Sequence, residues 1–251
     1  MRNALLTSLL TLTLLPALPG AANAQTLTAD QIVEKHLTAM GGREALAKLT
    51  SRRATGTISV ETPMGSLGGL FEMSAKAPNK MRVAVRIDLT PAGGPGELIQ
   101  EQFFDGTTGW MLNSMQGDTP MEGDQLESAR NDFFPTPLLR HQELGRKLEL
   151  LPGEDVHGRK AYVLKVTPKT GPVEKMFFDA ESFLLVRTMS TINSVQLGSA
   201  EQVSDSSDYR AVDGVQVAFT IAQSVGGQNI VLKLTKVENN VAIDDAVFVK
   251  K

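Results

Sequence analysis

Lys80-Met81-Arg82-Val83-Ala84-Val85-Arg86-Ile87-Asp88-Leu89 alternates strictly, with Met81, Val83, Val85, Ile87 and Leu89 on one side and Arg82, Ala84, Arg86 and Asp88 on the other. Side chains of a strand point alternately to the two faces of its sheet, so this stretch reads as a strand wet on one face only. Similar segments flank it. Arg53 to Glu61 sets Ala54, Gly56, Ile58 and Val60 together, and after a turn at Pro63 to Gly65, Leu70 to Ala75 sets Phe71, Met73 and Ala75 together. Pro78-Asn79 turns the chain into the quoted stretch. Beyond it, the Gly/Pro cluster Pro91 to Gly96 leads to Glu97 to Phe104, and Asp105-Gly106 starts a tight turn into Trp110 to Asn113.

The same rhythm returns near Leu148. A turn over Gly153 to Gly158 precedes Lys160 to Thr167, where Tyr162, Leu164 and Val166 align; Val173 to Phe178 then passes through Asp179 to Ser182 into Phe183 to Ser190. Three further strands are expected at Glu201 to Arg210, Val215 to Ser224 and Asn229 to Glu238, the first two joined at Asp213-Gly214. The total is about 11 or 12 strands in hairpin succession, with no alternation of strand and helix of the parallel nucleotide-binding kind. A twisted sheet rarely exceeds ~10 strands without curling or splitting, so this one is expected to curl.

Helices interrupt the strands twice. Thr28-Ala29-Asp30-Gln31 fits a capping box before Ile32, Val33, His36, Leu37 and Met40, which fall at helical spacing; Gly41-Gly42 stops this helix, and a short second one is expected over Arg43 to Leu49. Near the middle, Asp124 to Phe134 spaces Leu126, Ala129 and Phe133 for a helix that Asp124 can cap and that Pro135 and Pro137 end.

Met1 to Ala24 reads as a signal peptide: Arg2 is basic, Ala4 to Leu18 is mostly apolar, and Ala22-Asn23-Ala24 offers small residues for cleavage. The rival reading, an uncleaved anchor, needs a bilayer span of ~20 residues, and the apolar stretch is shorter and broken by Pro16 and Pro19. The chain has no cysteine, so acylation at the cleavage point, disulfides and thiolate chemistry are excluded. The expected mature chain, residues 25–251, is read as one domain exported to the periplasm, or secreted where a cell lacks an outer membrane, with no later transmembrane segment. The 25 basic and 28 acidic residues give −3, and loss of Arg2 with no acid leaves −4. So mild a charge offers no footprint for nucleic acid.

Catalytic signals are thin. His36, His141 and His157 lack the short spacings of zinc sites and read as a helix-face residue beside the core, a solvated loop residue and a turn residue. Asp205-Ser206-Ser207-Asp208 and Gly153-Glu154-Asp155 do not make a calcium loop and read as solvated turns. Gly93 to Gly96 lacks the lysine of a phosphate loop, and no Gly-x-Ser-x-Gly elbow is present. Neither an enzyme nor a bound cofactor or metal is expected. Trp110, the sole tryptophan, reads as a core anchor.

Three segments carry a family resemblance: Phe103-Phe104-Asp105-Gly106-Thr107-Thr108-Gly109-Trp110-Met111; Phe177-Phe178-Asp179-Ala180-Glu181-Ser182-Phe183-Leu184-Leu185-Val186-Arg187; and Asp208-Tyr209-Arg210 through Val212-Asp213-Gly214-Val215 to Phe219. With the closing Asp245-Ala246-Val247-Phe248, and in this order, the chain resembles outer-membrane lipoprotein-sorting proteins of the LolA-like superfamily. The resemblance implies a mainly β (α+β) fold, a strongly curved, unclosed antiparallel barrel with helices covering its concave face. It also implies a carrier of lipid or of a lipidated protein, served by a membrane-bound donor or acceptor protein.

Under that resemblance Phe71, Met73, Met81, Val83, Val85, Ile87, Phe219 and Ile221 become the candidate lining of an apolar cavity, methionine suiting it through its flexible thioether. The alternative is that they pack against the helices as an ordinary filled core. Phe133, Phe134 and Leu138 are candidates for a lip through which lipid passes, or for docking of the helix end onto the sheet. The competing functional expectation is an envelope sensory or interaction module with a filled core and a protein partner.

Overall fold

The structure, a computed structural model, describes residues 27–62, 65–194 and 198–250. The expected signal peptide lies outside the described residues. Helix α1 (Ala29–Ala39) begins as its sequence implies: the Thr28 hydroxyl accepts from the Gln31 N–H at 3.2 Å, and Gln31 Oε1 accepts from the Thr28 N–H at 2.8 Å. Two of the orphan donors at the helix start are thereby satisfied. Its buried stripe is Ile32, Val33, His36 and Leu37. The five-residue α2 (Arg43–Ala47) follows directly and buries Leu46.

The rest is one sheet of thirteen strands: β1 (Ser51–Thr62), β2 (Gly65–Lys76), β3 (Lys80–Asp88), β4 (Glu97–Phe104), β5 (Gly109–Asn113), β6 (Thr119–Pro120), β7 (Lys147–Val156), β8 (Arg159–Thr167), β9 (Glu174–Asp179), β10 (Leu185–Ser194), β11 (Gly198–Val212), β12 (Val215–Val225) and β13 (Gln228–Asn239). The strand beyond the expected count is β6, whose two residues pair with Trp110 and Met111 and are too few to show an alternation. β7 runs through Pro152 and on through Gly153 to Val156, most of the expected turn over Gly153 to Gly158. A register shift between Leu151 and Glu154 absorbs Pro152 and Gly153, and the reversal comes at His157-Gly158. A bulge of this kind tolerates a proline because the local ladder is already interrupted. Glu154 and Asp155 are therefore strand residues, as are Asp205 to Asp208 within β11, so neither acidic cluster is a turn. β10 starts at Leu185, since Phe183 sits at φ 58° in the preceding turn.

The spatial order is β6-β5-β4-β3-β2-β1-β13-β12-β11-β10-β9-β8-β7. Two antiparallel meanders, β1–β6 and β7–β13, are sewn together by antiparallel pairing of β1 with β13, from Arg52 opposite Asn239 to Glu61 opposite Asn229. The first and last strands thus lie at the centre of the sheet. The outer edges, β6 and β7, do not pair with each other. The result is a curved, unclosed antiparallel barrel, whose two edges are linked by the segment carrying the helix α3 (Gly123–Asn131) and a 3₁₀ turn at Pro137–Arg140.

α3 differs from its expected form. Its N-cap is Glu122 without a side-chain bond, not Asp124, and the helix stops at Asn131. Phe133 and Phe134 fall outside it, ahead of a cis Phe134–Pro135 bond.

Several apolar clusters organise the interior. In the largest, Ile32, Val33 and Leu37 of α1, Leu46 and Leu49 beside α2, and Leu138 of the 3₁₀ turn pack on Leu164, Val166, Met176, Phe178, Val215, Val217 and Phe219. A second joins Ile58, Leu67 and Ile87 with Val60, Val85, Leu98, Ile230 and Leu232, contributed by β1–β4 and β13. α3 forms another, Ala129 and Leu126 against Phe104, Met111 and Met121. Full burial of a Leu, Ile or Phe side chain contributes ~1.5–3 kcal/mol, which makes the helix-covered cluster a major anchor of the fold.

Candidate functional site

The strand register fixes which side chains share a face. Phe71 lies opposite Val85, Met73 opposite Val83, Ala75 opposite Met81, and Gly69 opposite Ile87. On β1 Gly56 lies opposite Phe71, and across the seam Ile58 lies opposite Leu232, which in turn faces Ile221. Phe219 is two residues from Ile221 on β12, so it shares that face. All eight candidate lining residues therefore project from one side of the sheet, the side on which α1 and α2 pack.

They do not share one environment. Phe219 belongs to the cluster roofed by α1, α2 and the 3₁₀ turn and is 7 % exposed. Val85 and Ile87 belong to the β1–β4 and β13 cluster, in which no α-helical residue takes part. Phe71 is buried, whereas Met73, Met81, Val83, Val85 and Ile221 are only half-buried. One half of the concave face is thus packed under helices, and the other mixes buried Phe71 and Ile87 with half-buried apolar side chains.

Polar side chains flank this apolar wall. On β4, Gln100 is opposite Val85 and Gln102 opposite Val83, followed on β5 by Asn113 opposite Gln100. On the other flank Gln223 is opposite Ser204, Ser204 opposite Thr188, and Ser190 lies between Gln202 and Glu174. Alternation carries these amides and hydroxyls onto the same face as the apolar wall. Such a surface can hold an apolar chain along its centre while offering hydrogen bonds at its margins.

The lip candidates lie in the segment that crosses between the two edges of the sheet. Leu138 is 1 % exposed inside the helix-covered cluster, Phe134 packs against it with the Arg52 guanidinium 5.7 Å from its ring centroid, and the Phe134 N–H donates to the Pro78 carbonyl at 2.8 Å. Phe133 is half-buried under Arg140, 5.4 Å from its ring centroid. Burial lowers Arg52 to about 10.

Two single-residue expectations change. His141 is no solvated loop residue: it is 3 % exposed, its Nδ1 pairs with the Leu138 carbonyl at 2.9 Å and its Nε2 with Asp30 Oδ1 at 2.9 Å. It ties the 3₁₀ turn to α1, a contact 111 residues apart in sequence that no local pattern announces. Trp110 is half-buried rather than a core anchor; it pairs with Phe103 on the face opposite Met111, and Lys250 sits 4.3 Å from its ring centroid. His36 is the helix-face residue expected, and His157 lies in its turn, 2.8 Å from Asp205 Oδ2.

Among the described residues, no group of three or more His, Asp or Glu side chains could hold a metal ion. None of their helices is long and apolar enough to cross a membrane. A depression of about 420 Å³ is lined by Gly41, Glu44, Ala45, Lys48, Leu49, Asp213 and Asn240, and another of about 240 Å³ by Ile99, Glu101, Leu112, Asn113, Ser114 and Asp118; neither includes a candidate lining residue.

This architecture has counterparts among solved structures. A LolA superfamily protein from Nitrosomonas europaea superposes with a TM-score of 0.56 at 17% identity, covering 90% of this chain and 99% of its own. The chain has the LolA-like fold. A Vibrio parahaemolyticus domain named for outer membrane lipoprotein sorting gives a TM-score of 0.54 at 10% identity over 88% of this chain and 95% of its own. A DUF1329 family protein from Desulfovibrio piger gives 0.55 at 12% identity over 88% and 97%. No family model and no curated protein matches the sequence. At these identities the likeness is one of fold, and the same LolA-like frame carries different names in the three proteins.

Proposed function

We propose that this protein is an exported, periplasmic carrier or binder that sequesters the acyl chain of a lipid or lipidated protein on the concave face of its LolA-like sheet. One observation carries the reading: β1–β3, β12 and β13 place Met73, Met81, Val83, Val85 and Ile221 on a single face, only half-buried. A soluble protein gains nothing by keeping so continuous an apolar wall partly open unless something apolar visits it. Each buried acyl CH₂ contributes ~0.8 kcal/mol, so a chain of a dozen or so carbons binds without a charged contact. The name of the Vibrio parahaemolyticus counterpart agrees with this class of cargo. No side chain is assigned a catalytic role.

The test is mass spectrometry of solvent extracts from the purified protein, with titration of a fluorescent fatty acid. Near-stoichiometric bound lipid, or saturable uptake of the probe, supports a carrier. A clean extract together with no uptake overturns it.

The second reading, an interaction module that meets a protein partner, draws on the helix-packed half of the concave face, where Phe219 is buried in the core. It requires a partner that remains bound after lipid is stripped.

A further inference from the structure

Two polar links fasten the 3₁₀ turn of the crossing segment to the helices. In one, Arg43 of α2 donates from Nη1 to the Leu139 carbonyl at 2.9 Å and pairs with Glu34 of α1. In the other, the His141 ring, 4 % exposed, has the Leu138 carbonyl 2.9 Å from Nδ1 and Asp30 Oδ1 2.9 Å from Nε2. A carbonyl only accepts, and so does an ionised carboxylate. Neutral imidazole has a single N–H for these two acceptors, whereas imidazolium has one for each. The arrangement is therefore complete only while both ring nitrogens carry protons.

The other charged groups around His141 hold their charge where histidine changes its own, about pH 5 to 8. On α1, Glu34 is kept below the usual carboxylate range chiefly by its bond to Arg43, and it feels the His141 charge. Arg140 and Glu143, on the segment itself, pair with each other at the surface. Arg146 meets His141 through its backbone N–H, 2.9 Å from the His141 carbonyl, while its guanidinium turns to the Asn131 carbonyl. β7 contributes apolar Leu148 and Leu150. Asp30 is 62 % exposed and free to turn to water, so a neutral His141 loses this bond. Leu138, 1 % exposed among Ile32, Val33 and Leu37, is seated by the same turn.

We infer that Asp30 and His141 form a proton-operated clamp. Protonated, it holds the 3₁₀ turn and Leu138 on α1; deprotonated, it sets an Nε2 lone pair against a carboxylate and lets the turn lift from the helix-covered cluster, opening a way for an acyl chain. The last step rests on the carrier reading above. The fastening is present while His141 holds its second proton and is lost as pH rises through the histidine range.

Amide hydrogen exchange and ring-nitrogen NMR shifts of the full chain, followed between about pH 5 and 8, test this in the wild type and in Asp30→Asn. The asparagine amide serves either ring form, accepting from Nε2–H through its oxygen or donating to a bare Nε2 through its nitrogen. In the wild type, protection of the Leu139 and His141 amides, which donate to the Thr136 and Leu138 carbonyls, should fall about tenfold as pH rises and Nε2 loses its proton. That direction is opposite to the effect of buried His36. Asp30→Asn should keep the protection level. Uptake of a fluorescent dodecyl ester, which has no ionisable group, should quicken over the same range in the wild type only. Level protection in the wild type, or a slope retained in Asp30→Asn, overturns the clamp. Falling protection with an unchanged uptake rate overturns its control of entry, whereas no uptake at any pH overturns the carrier reading and leaves the exchange data to decide the clamp.

Discussion

The Nδ1–H of His36, on the buried stripe of α1, donates to the Phe183 carbonyl at 2.9 Å, tying the first helix to the turn between β9 and β10. Because a carbonyl only accepts, this bond fixes the proton on Nδ1. The ring also meets Phe178 edge-on, with centroids 4.9 Å apart. Its surroundings are therefore built for neutral imidazole, and burial pushes its pKa down to about 4 from 6.5.

The consequence is a pH-dependent stability. Between pH 6.5 and about 4 the unfolded chain binds a proton at this site that the folded chain refuses, so stability falls as pH drops through that window and this loss is complete below about 4. The loss amounts to roughly 3 kcal/mol. Urea denaturation at both ends of the window should show it. His36→Gln should be less stable near neutral pH and should lack this slope.

The two environments of the concave face predict opposite results from similar substitutions. Phe219→Lys places an ammonium under α1 and α2 and should cost more than ~3 kcal/mol or prevent folding. Val83→Lys lies on the half-buried wall beside Gln102, where a lysine can extend to water, and should cost no more than ~1–2 kcal/mol. Thermal unfolding monitored by circular dichroism separates the two. The folded Val83→Lys protein should lose fatty-acid uptake.

Gly56 marks the seam between the meanders, at the register shift between Thr55 and Gly56. A Cβ there would lie 2.2 Å from the Lys233 carbonyl oxygen and 2.9 Å from the Leu234 Cα, both backbone atoms of β13. Backbone on either side cannot give way as a side chain can. Gly56→Ala should therefore destabilise by more than ~2 kcal/mol, read from the midpoint of chemical denaturation.

The C-terminal segment is fastened by Asp245, which accepts from Lys76 at 2.8 Å and from Lys80 at 2.7 Å. The Lys76 bond, then the Lys80 bond, lowers its carboxyl from 3.8 to about 2. The folded chain holds the proton less readily than the unfolded one, so this contribution is present above pH 3.8 and disappears as pH falls through about 2. Asp245→Asn should speed amide hydrogen exchange over residues 241–250 at neutral pH and remove the acid dependence of that exchange. Exchange elsewhere in the sheet should remain unchanged.

Much of the candidate site was legible locally. Met81, Val83, Val85 and Ile87 declare a common face by spacing alone, and hairpin pairing brings Phe71 and Met73 alongside them. What spacing cannot express is cover. Phe219 and Ile221 are equivalent in sequence pattern, yet only Phe219 meets the helices, because helix placement is decided by packing between segments remote in the chain. The burial of His141 escapes for the same reason: its contact with Asp30, 111 residues away, is not encoded by strand or helix periods.

The chain by itself determined its hairpins, its capped first helix and the two faces of nearly every strand, since these depend on neighbours a few residues away and on the period of two that a pleated backbone imposes. Only the tertiary structure decided that β1 lies beside β13, that β6 and β7 remain apart, and that α1 and α2 roof one half of the concave face while the other stays half-open. Backbone hydrogen bonds between strands are nearly indifferent to sequence, so the choice of distant partners falls to the collective burial of apolar faces, a property of the folded whole.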